Sequence, residues 1–95
     1  MSEIREALSV AASHPALPGH FPGNPIVPGV VLLDRVAALL EKDDVRLARI
    51  GLVKFLTPLK PGEDAILTIE RDGARVRFRI DRAGAPILRG EGELA

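Results

Sequence analysis

The stretch that most constrains this chain is residues 15–29, where five prolines (Pro15, Pro18, Pro22, Pro25, Pro28) alternate with Gly19, Gly23 and Gly29. Proline fixes φ and carries no amide hydrogen, so such a segment is neither regular helix nor central strand. Glycine supplies the backbone angles between the prolines. The segment therefore reads as a rigid, shaped loop rather than a floppy linker. Directly after it the composition inverts. In Gly29–Lys42 the only charges before Glu41 are Asp34 and Arg35. Pro28 suits a helix entrance, and Val30, Val31, Leu32, Leu33, Val36, Leu39 and Leu40 cover more than one face. The spacing predicts a helix from Gly29 to about Lys42, roughly 21 Å long. A helix apolar nearly all round is expected to be buried. Asp43-Asp44 ends it.

The remainder reads as strands. Glu3–Ala12 fits a helix or a strand. Arg46–Leu56 predicts a strand with a bulge or bend at Gly51, and Pro58 and Pro61 mark a loop. Asp64–Arg71 predicts a second strand, and Asp72-Gly73 a two-residue hairpin turn. Arg75–Arg82 alternates strictly, with Val76, Phe78 and Ile80 inward. Ala83-Gly84 makes another turn, and Pro86–Leu94 a last strand whose glycines suit strong curvature. The expected order is a strand-like arm, the loop, the buried helix and an antiparallel meander. That is an α+β class over a single domain, residues 1–95, with the helix wrapped by the sheet.

Composition narrows the function. Thirteen basic residues balance thirteen acidic ones, so there is no cationic surplus to neutralise nucleic-acid phosphates. Cysteine is absent, which removes disulfides, thiolate metal sites and thiol nucleophiles; no metal site is expected. No apolar run approaches the length of a membrane span, and the first residues lack the pattern of a secretory signal. The expectation is a soluble cytoplasmic protein without membrane insertion. Phe21, Phe55 and Phe78 are the only aromatics among 95 residues. A small chain without staples and with so few large side chains suggests a core completed by a second subunit.

The chemistry concentrates in Gly19–Asp34, GHFPGNPIVPGVVLLD. Proline-fixed backbone would hold the His20 imidazole in one place. Gly29 begins the helix, where amide groups lack intrahelical partners and favour negative charge. Asp34 is a carboxyl in an apolar setting, where burial disfavours the charged form. A histidine, a carboxyl and a helix N-terminus are the parts of a base, an acid and an oxyanion site. The plainer alternatives are that His20 is polar surface and that Asp34 pairs with Arg35 or a strand arginine.

The segment from His20 to Val30, HFPGNPIVPGV, resembles the signature of hot-dog-fold 3-hydroxyacyl-[acyl-carrier-protein] dehydratases of the FabA/FabZ type. In that family the loop runs into a central helix, and a catalytic acid follows fourteen residues after the histidine. Asp34 stands at that place here. Lys54-Phe55, Pro58 and Pro61-Gly62 resemble the strand and turn that follow the helix. The resemblance implies a hot-dog fold and a dehydration that needs no cofactor. It makes His20 the base at C2, and Asp34 the acid that protonates the departing 3-hydroxyl. Gly29 would supply the amide that polarises the thioester carbonyl, and the Ile26 carbonyl would orient His20. Phe21, Pro28, Val30 and Ile26 would line the substrate. In the family the histidine and the facing acid come from different subunits, which implies a homodimer or higher oligomer, or a hetero-oligomer with a related dehydratase.

Some positions depart from the family. Asp rather than Glu at the acid position is similar to the FabA branch, and Ala38 stands where a Gln is common. The chain is expected to lack most of the family's N-terminal region, as in short relatives from aryl-polyene and similar lipid pathways. The expected partner is an acidic acyl carrier protein, with Lys54, Lys60 and Arg35 as docking candidates. The Arg75, Arg77 and Arg79 stripe reads as a solvated sheet face paired with Glu70, Glu91 or Glu93. His14 reads as surface. A non-catalytic acyl-binding subunit and a hot-dog thioesterase are the competing functions.

Overall fold

The computed structural model describes residues 2–14 and 26–95. The element order is β1 (Ser2–Leu8), α1 (Gly29–Lys42), β2 (Leu47–Phe55), β3 (Ala65–Asp72), β4 (Arg75–Arg82) and β5 (Ala85–Leu94). The N-terminal segment Glu3–Ala12 that fitted helix or strand is a strand as far as Leu8 and irregular beyond it. The helix spans the residues its spacing predicts.

All five strands form one antiparallel sheet in the order β1-β3-β4-β5-β2. Only β3-β4-β5 is a meander. The expected meander of all four later strands is therefore corrected: β2 leaves the helix and pairs with β5, at the far edge from β1. Strand alternation reports which face a side chain takes, not which neighbour a strand chooses.

The alternating positions of β4 do face inward: Val76, Phe78 and Ile80 are buried. They pack with Leu67 and Ile69 of β3, Ile87 and Leu88 of β5, and Val31, Leu32, Val36, Leu39 and Leu40 of α1 in one core. The helix is buried on this side alone. Val30 is 63% exposed, and Asp34, Ala38 and Glu41 are exposed too. The expected all-round burial is thus overturned for the single chain. One sheet can cover only one face of a helix, and the opposite face stays open.

The turns sort by glycine position. Asp72 stays in β3, paired with Arg75, so the loop is Gly73-Ala74 rather than the expected Asp72-Gly73. Positive φ occurs at Gly73 (φ 61) and not at Ala74, as a type II′ turn demands with glycine at its first central position. Ala83-Gly84 has positive φ at both residues, 47 and 83, as in a type I′ turn.

The bulge expected at Gly51 is present as a register shift between Ile50 and Val53. Across it, β2 approaches β5 closely at Gly92. A methyl group on residue 92 would run into the Arg49 carbonyl oxygen, a backbone atom that cannot swing aside. Gly92→Ala is expected to destabilise the fold by about 1–3 kcal/mol, read as a lower denaturation midpoint. An unchanged midpoint would mean that the two strands can part without cost.

The outer face carries the charges. Arg79 is ringed by Glu70 (3.0 Å), Asp81 (3.5 Å) and Glu3 (3.7 Å). Arg49 pairs with Glu93 at 2.8 Å and Arg89 with Asp81 at 3.0 Å. This agrees with a solvated, paired face for Arg79. Arg77 stands opposite Glu70 and Glu91, and Arg75 opposite Asp72 and Glu93, in the strand register. Two further pairs tie the end of α1 to the sheet: Arg71–Asp43 at 2.8 Å and Lys42–Glu6 at 3.2 Å.

A tighter clasp closes the β2–β3 loop. Glu63 accepts a hydrogen bond from the Lys60 backbone amide at 2.7 Å and pairs with Arg82. The Lys60 amide holds the Glu63 carboxyl below its ordinary 4.5 against the opposing effect of desolvation, and Arg82 and then the Lys60 charge add to the lowering. A depressed acid binds fewer protons folded than unfolded, so its contribution is present above pH 4.5 and fades as pH falls through the folded value. Thermal melts across that range should show this loss in the native chain and a shallower pH dependence in Glu63→Gln. Parallel curves would remove Glu63 from the acid response.

Candidate active site

Two backbone contacts fix the approach to α1. The Val27 amide donates to the Leu59 carbonyl at 2.8 Å, and the Val31 amide donates to the Pro28 carbonyl at 3.0 Å. Pro28 is the N-cap, with φ −60 and ψ 143, and no side chain caps the helix. The first turn holds no acidic residue. The amide end of the helix is thus left with an uncompensated positive dipole.

That end opens on a cleft of about 410 Å³ lined by Ile26, Pro28, Gly29, Leu32, Phe55 and Leu59, with further wall from Val27, Leu56–Pro58 and Ile87. The walls are mostly apolar. A neutral acyl chain suits them, and the helix end supplies a place for a carbonyl oxygen gaining negative charge. The Leu56 amide donates to the Ile87 carbonyl at 2.9 Å, which holds the wall from β2 against β5.

Ile26, Pro28 and Gly29 all line this cleft. Val30 points away from the core and does not line the cleft. His20 and Phe21 lie outside the described residues, as does the loop that carries them, so the proposed Ile26–His20 contact does too. Asp34 is the informative case. It follows Gly29 by five residues, about 140° round the helix axis, and it shares the open face with Val30. It is exposed, and it forms no ion pair with Arg35 or with any strand arginine among the described residues. The expectation of a carboxyl in an apolar setting is corrected: within one chain the helix turns Asp34 to solvent and away from the cleft. No group of three or more potential metal ligands occurs among the described residues.

The docking candidates stand on three separate elements. Arg35 is half-buried on α1. Lys54 is exposed on the outer face of β2, beside Leu52, Leu56 and Arg89. Lys60 is exposed in the β2–β3 loop. Thr57, Leu59 and Ile87 are cleft residues that the sequence did not single out. For Leu59 the available signal was the Pro58–Pro61 turn that it sits in. Ile87 had none, because strand pairing alone brings it to the cleft.

Comparisons with known proteins converge on one family. A family model described as ApeI-like, ApeI dehydratase, matches residues 1–91. The 3-hydroxyacyl-[acyl-carrier-protein] dehydratase FabZ of Ehrlichia chaffeensis is 38% identical over 69 residues, covering 64% of this chain and 48% of that one. FabZ of Chlamydia trachomatis serovar L2 is 34% identical over 104 aligned residues, covering 92% and 67%. The chain spans about half to two thirds of the length of such relatives. Among solved structures, a chain of the dehydratase heterocomplex ApeI:P from Xenorhabdus doucetiae superposes with a TM-score of 0.87 at 28% identity, over 98% of this chain and 87% of that one. An uncharacterized protein from Erwinia carotovora subsp. atroseptica superposes at 0.78 with 24% identity, covering 98% and 82%, and shares the fold. One helix held in a curved five-stranded antiparallel sheet is the hot-dog fold. No helix among the described residues is long and apolar enough to cross a membrane.

Proposed function

The chain belongs to the ApeI-like dehydratase family, and from that premise we propose that it eliminates water from a (3R)-hydroxyacyl thioester on an acyl carrier protein, giving the trans-2-enoyl thioester. The observation that carries this reading is the uncapped helix end at Gly29, opening on an apolar cleft. The thioester carbonyl accepts from the Gly29 amide, which acidifies the C2 proton. His20 takes that proton. The electron pair moves into a new C2–C3 double bond, the C3–O bond breaks, and the hydroxyl leaves as water with a proton from Asp34. His20 then gives its proton up to solvent or to Asp34, and the site is restored. Protonation and charge stabilisation suffice for this step, and the protein supplies both. Fatty acid or polyene-type lipid synthesis is the setting that such a product fits.

The site is shared between two copies in this reading. Asp34 and Gly29 point to different sides of one helix, so an acid facing the cleft has to come from a neighbour. Two exposed features support a neighbour. Val30 leaves an apolar side chain on the open helix face. The strand β2, paired with β5 on one side only, exposes Ile50, Leu52 and Phe55, the kind of edge that proteins cover. A second reading, in which the chain is the partner subunit of a related dehydratase, is favoured by its similarity to a chain of a dehydratase heterocomplex.

One experiment separates the outcomes. The purified protein is incubated with a 3-hydroxyacyl carrier protein and the intact carrier mass is followed. Loss of water is expected. Release of the free carrier thiol would mean a thioesterase, and an unchanged carrier would mean a non-catalytic subunit.

A further inference from the structure

Phe55 ends β2 with its side chain on the inner face, paired in register with Leu88. Its ring lies across the first turn of α1. A methyl group on residue 29 would stand 2.5 Å from Cε1 and 2.6 Å from Cζ of that ring. Glycine at position 29 is thus what lets the ring close on the helix end. Yet Phe55 is 56% exposed, so the core does not depend on it. The ring is an aromatic wall placed against the one amide the chemistry uses, beside Ile26, Pro28 and Leu32.

Resting on the dehydratase reading of this cleft, we infer that Phe55 sets the width of the slot beside the Gly29 amide, admitting acyl chains unbranched at C2 and rejecting those with a 2-methyl branch. The carbonyl oxygen that accepts from Gly29 is two bonds from C2. Any branch on C2 is therefore carried in next to the helix end. The ring already excludes a carbon from residue 29, and it narrows the same corner against a carbon brought by substrate. The straight chain leaves along the apolar walls that the described residues form.

The test uses unreactive amide analogues of 3-hydroxyacyl-pantetheine, straight and 2-methyl-branched, bound to the whole chain in calorimetry. The native protein is expected to prefer the straight analogue by about 10- to 200-fold, the range that one misplaced methyl costs in a shaped apolar pocket. Phe55→Ala is expected to erase most of that preference with little change in thermal midpoint. Phe55→Leu, which keeps part of the bulk, should fall between, and it carries the test should the alanine variant fold poorly. Equal affinities in the native protein, a preference that survives Phe55→Ala, or no binding of either analogue would overturn the inference. Turnover of the straight thioester is measured alongside. A preference that depends on Phe55 in a protein without turnover would keep the slot and overturn the dehydratase.

Discussion

His20→Ala is expected to lower dehydration of a 3-hydroxyacyl carrier by about 10²–10⁴-fold, the usual contribution of a positioned general base, with an unchanged circular dichroism spectrum. The C2 proton of a thioester is weakly acidic, and the Gly29 helix end assists only the electron pair that the proton leaves behind. A base still has to stand within hydrogen-bond reach of C2. Among the described residues that line the cleft none is titratable, so those walls hold no substitute for it. Wild-type turnover in His20→Ala would remove this residue from the chemistry and, with it, the assignment of the loop.

The second large effect concerns Asp34. Asp34→Asn keeps the shape of the side chain and removes its proton. Turnover is expected to fall by about 10²–10⁴-fold, with a smaller change in affinity for the unreactive analogue. The sharper measurement mixes the two inactive variants. Suppose the base and the acid of each site come from different copies. A dimer of one His20→Ala chain and one Asp34→Asn chain then has one dead site and one intact site. Unfolding and refolding an equal mixture makes about half the dimers mixed, so about a quarter of native turnover should return. If His20 and Asp34 of the same chain act together, every site keeps one lesion and nothing returns. The exposure of Asp34 on the helix face opposite the cleft is the structural ground for expecting recovery.

Much of the fold is legible in local pattern. Pro28 and Gly29 mark the start of α1, and the Val76, Phe78 and Ile80 alternation marks the buried face of β4. Both signals depend on only a few neighbouring residues, and both match the structure. The Gly73-Ala74 loop slipped by one residue from its expected place because the turn type decides which central position needs glycine. The meander over-reached for a different reason. Hydrophobic alternation is the same whether β2 pairs with β3 or with β5, so it cannot choose between the two neighbours.

The candidate site divides along the same line. The fourteen-residue spacing between His20 and Asp34 and the resemblance built on it came from the sequence, as did the placing of Gly29 at a helix end. The sequence also carries the apolar run of α1, but that run does not say how many sides of the helix are covered. Only the tertiary structure shows that a single sheet covers one side. It turns Asp34 and Val30 to the other side, and it lays Phe55 across Gly29 from a strand that lies twenty-six residues further along the chain. Periodicity is a property of neighbours along the backbone. Which surfaces meet, and which are left for a second molecule, is decided by packing between distant segments.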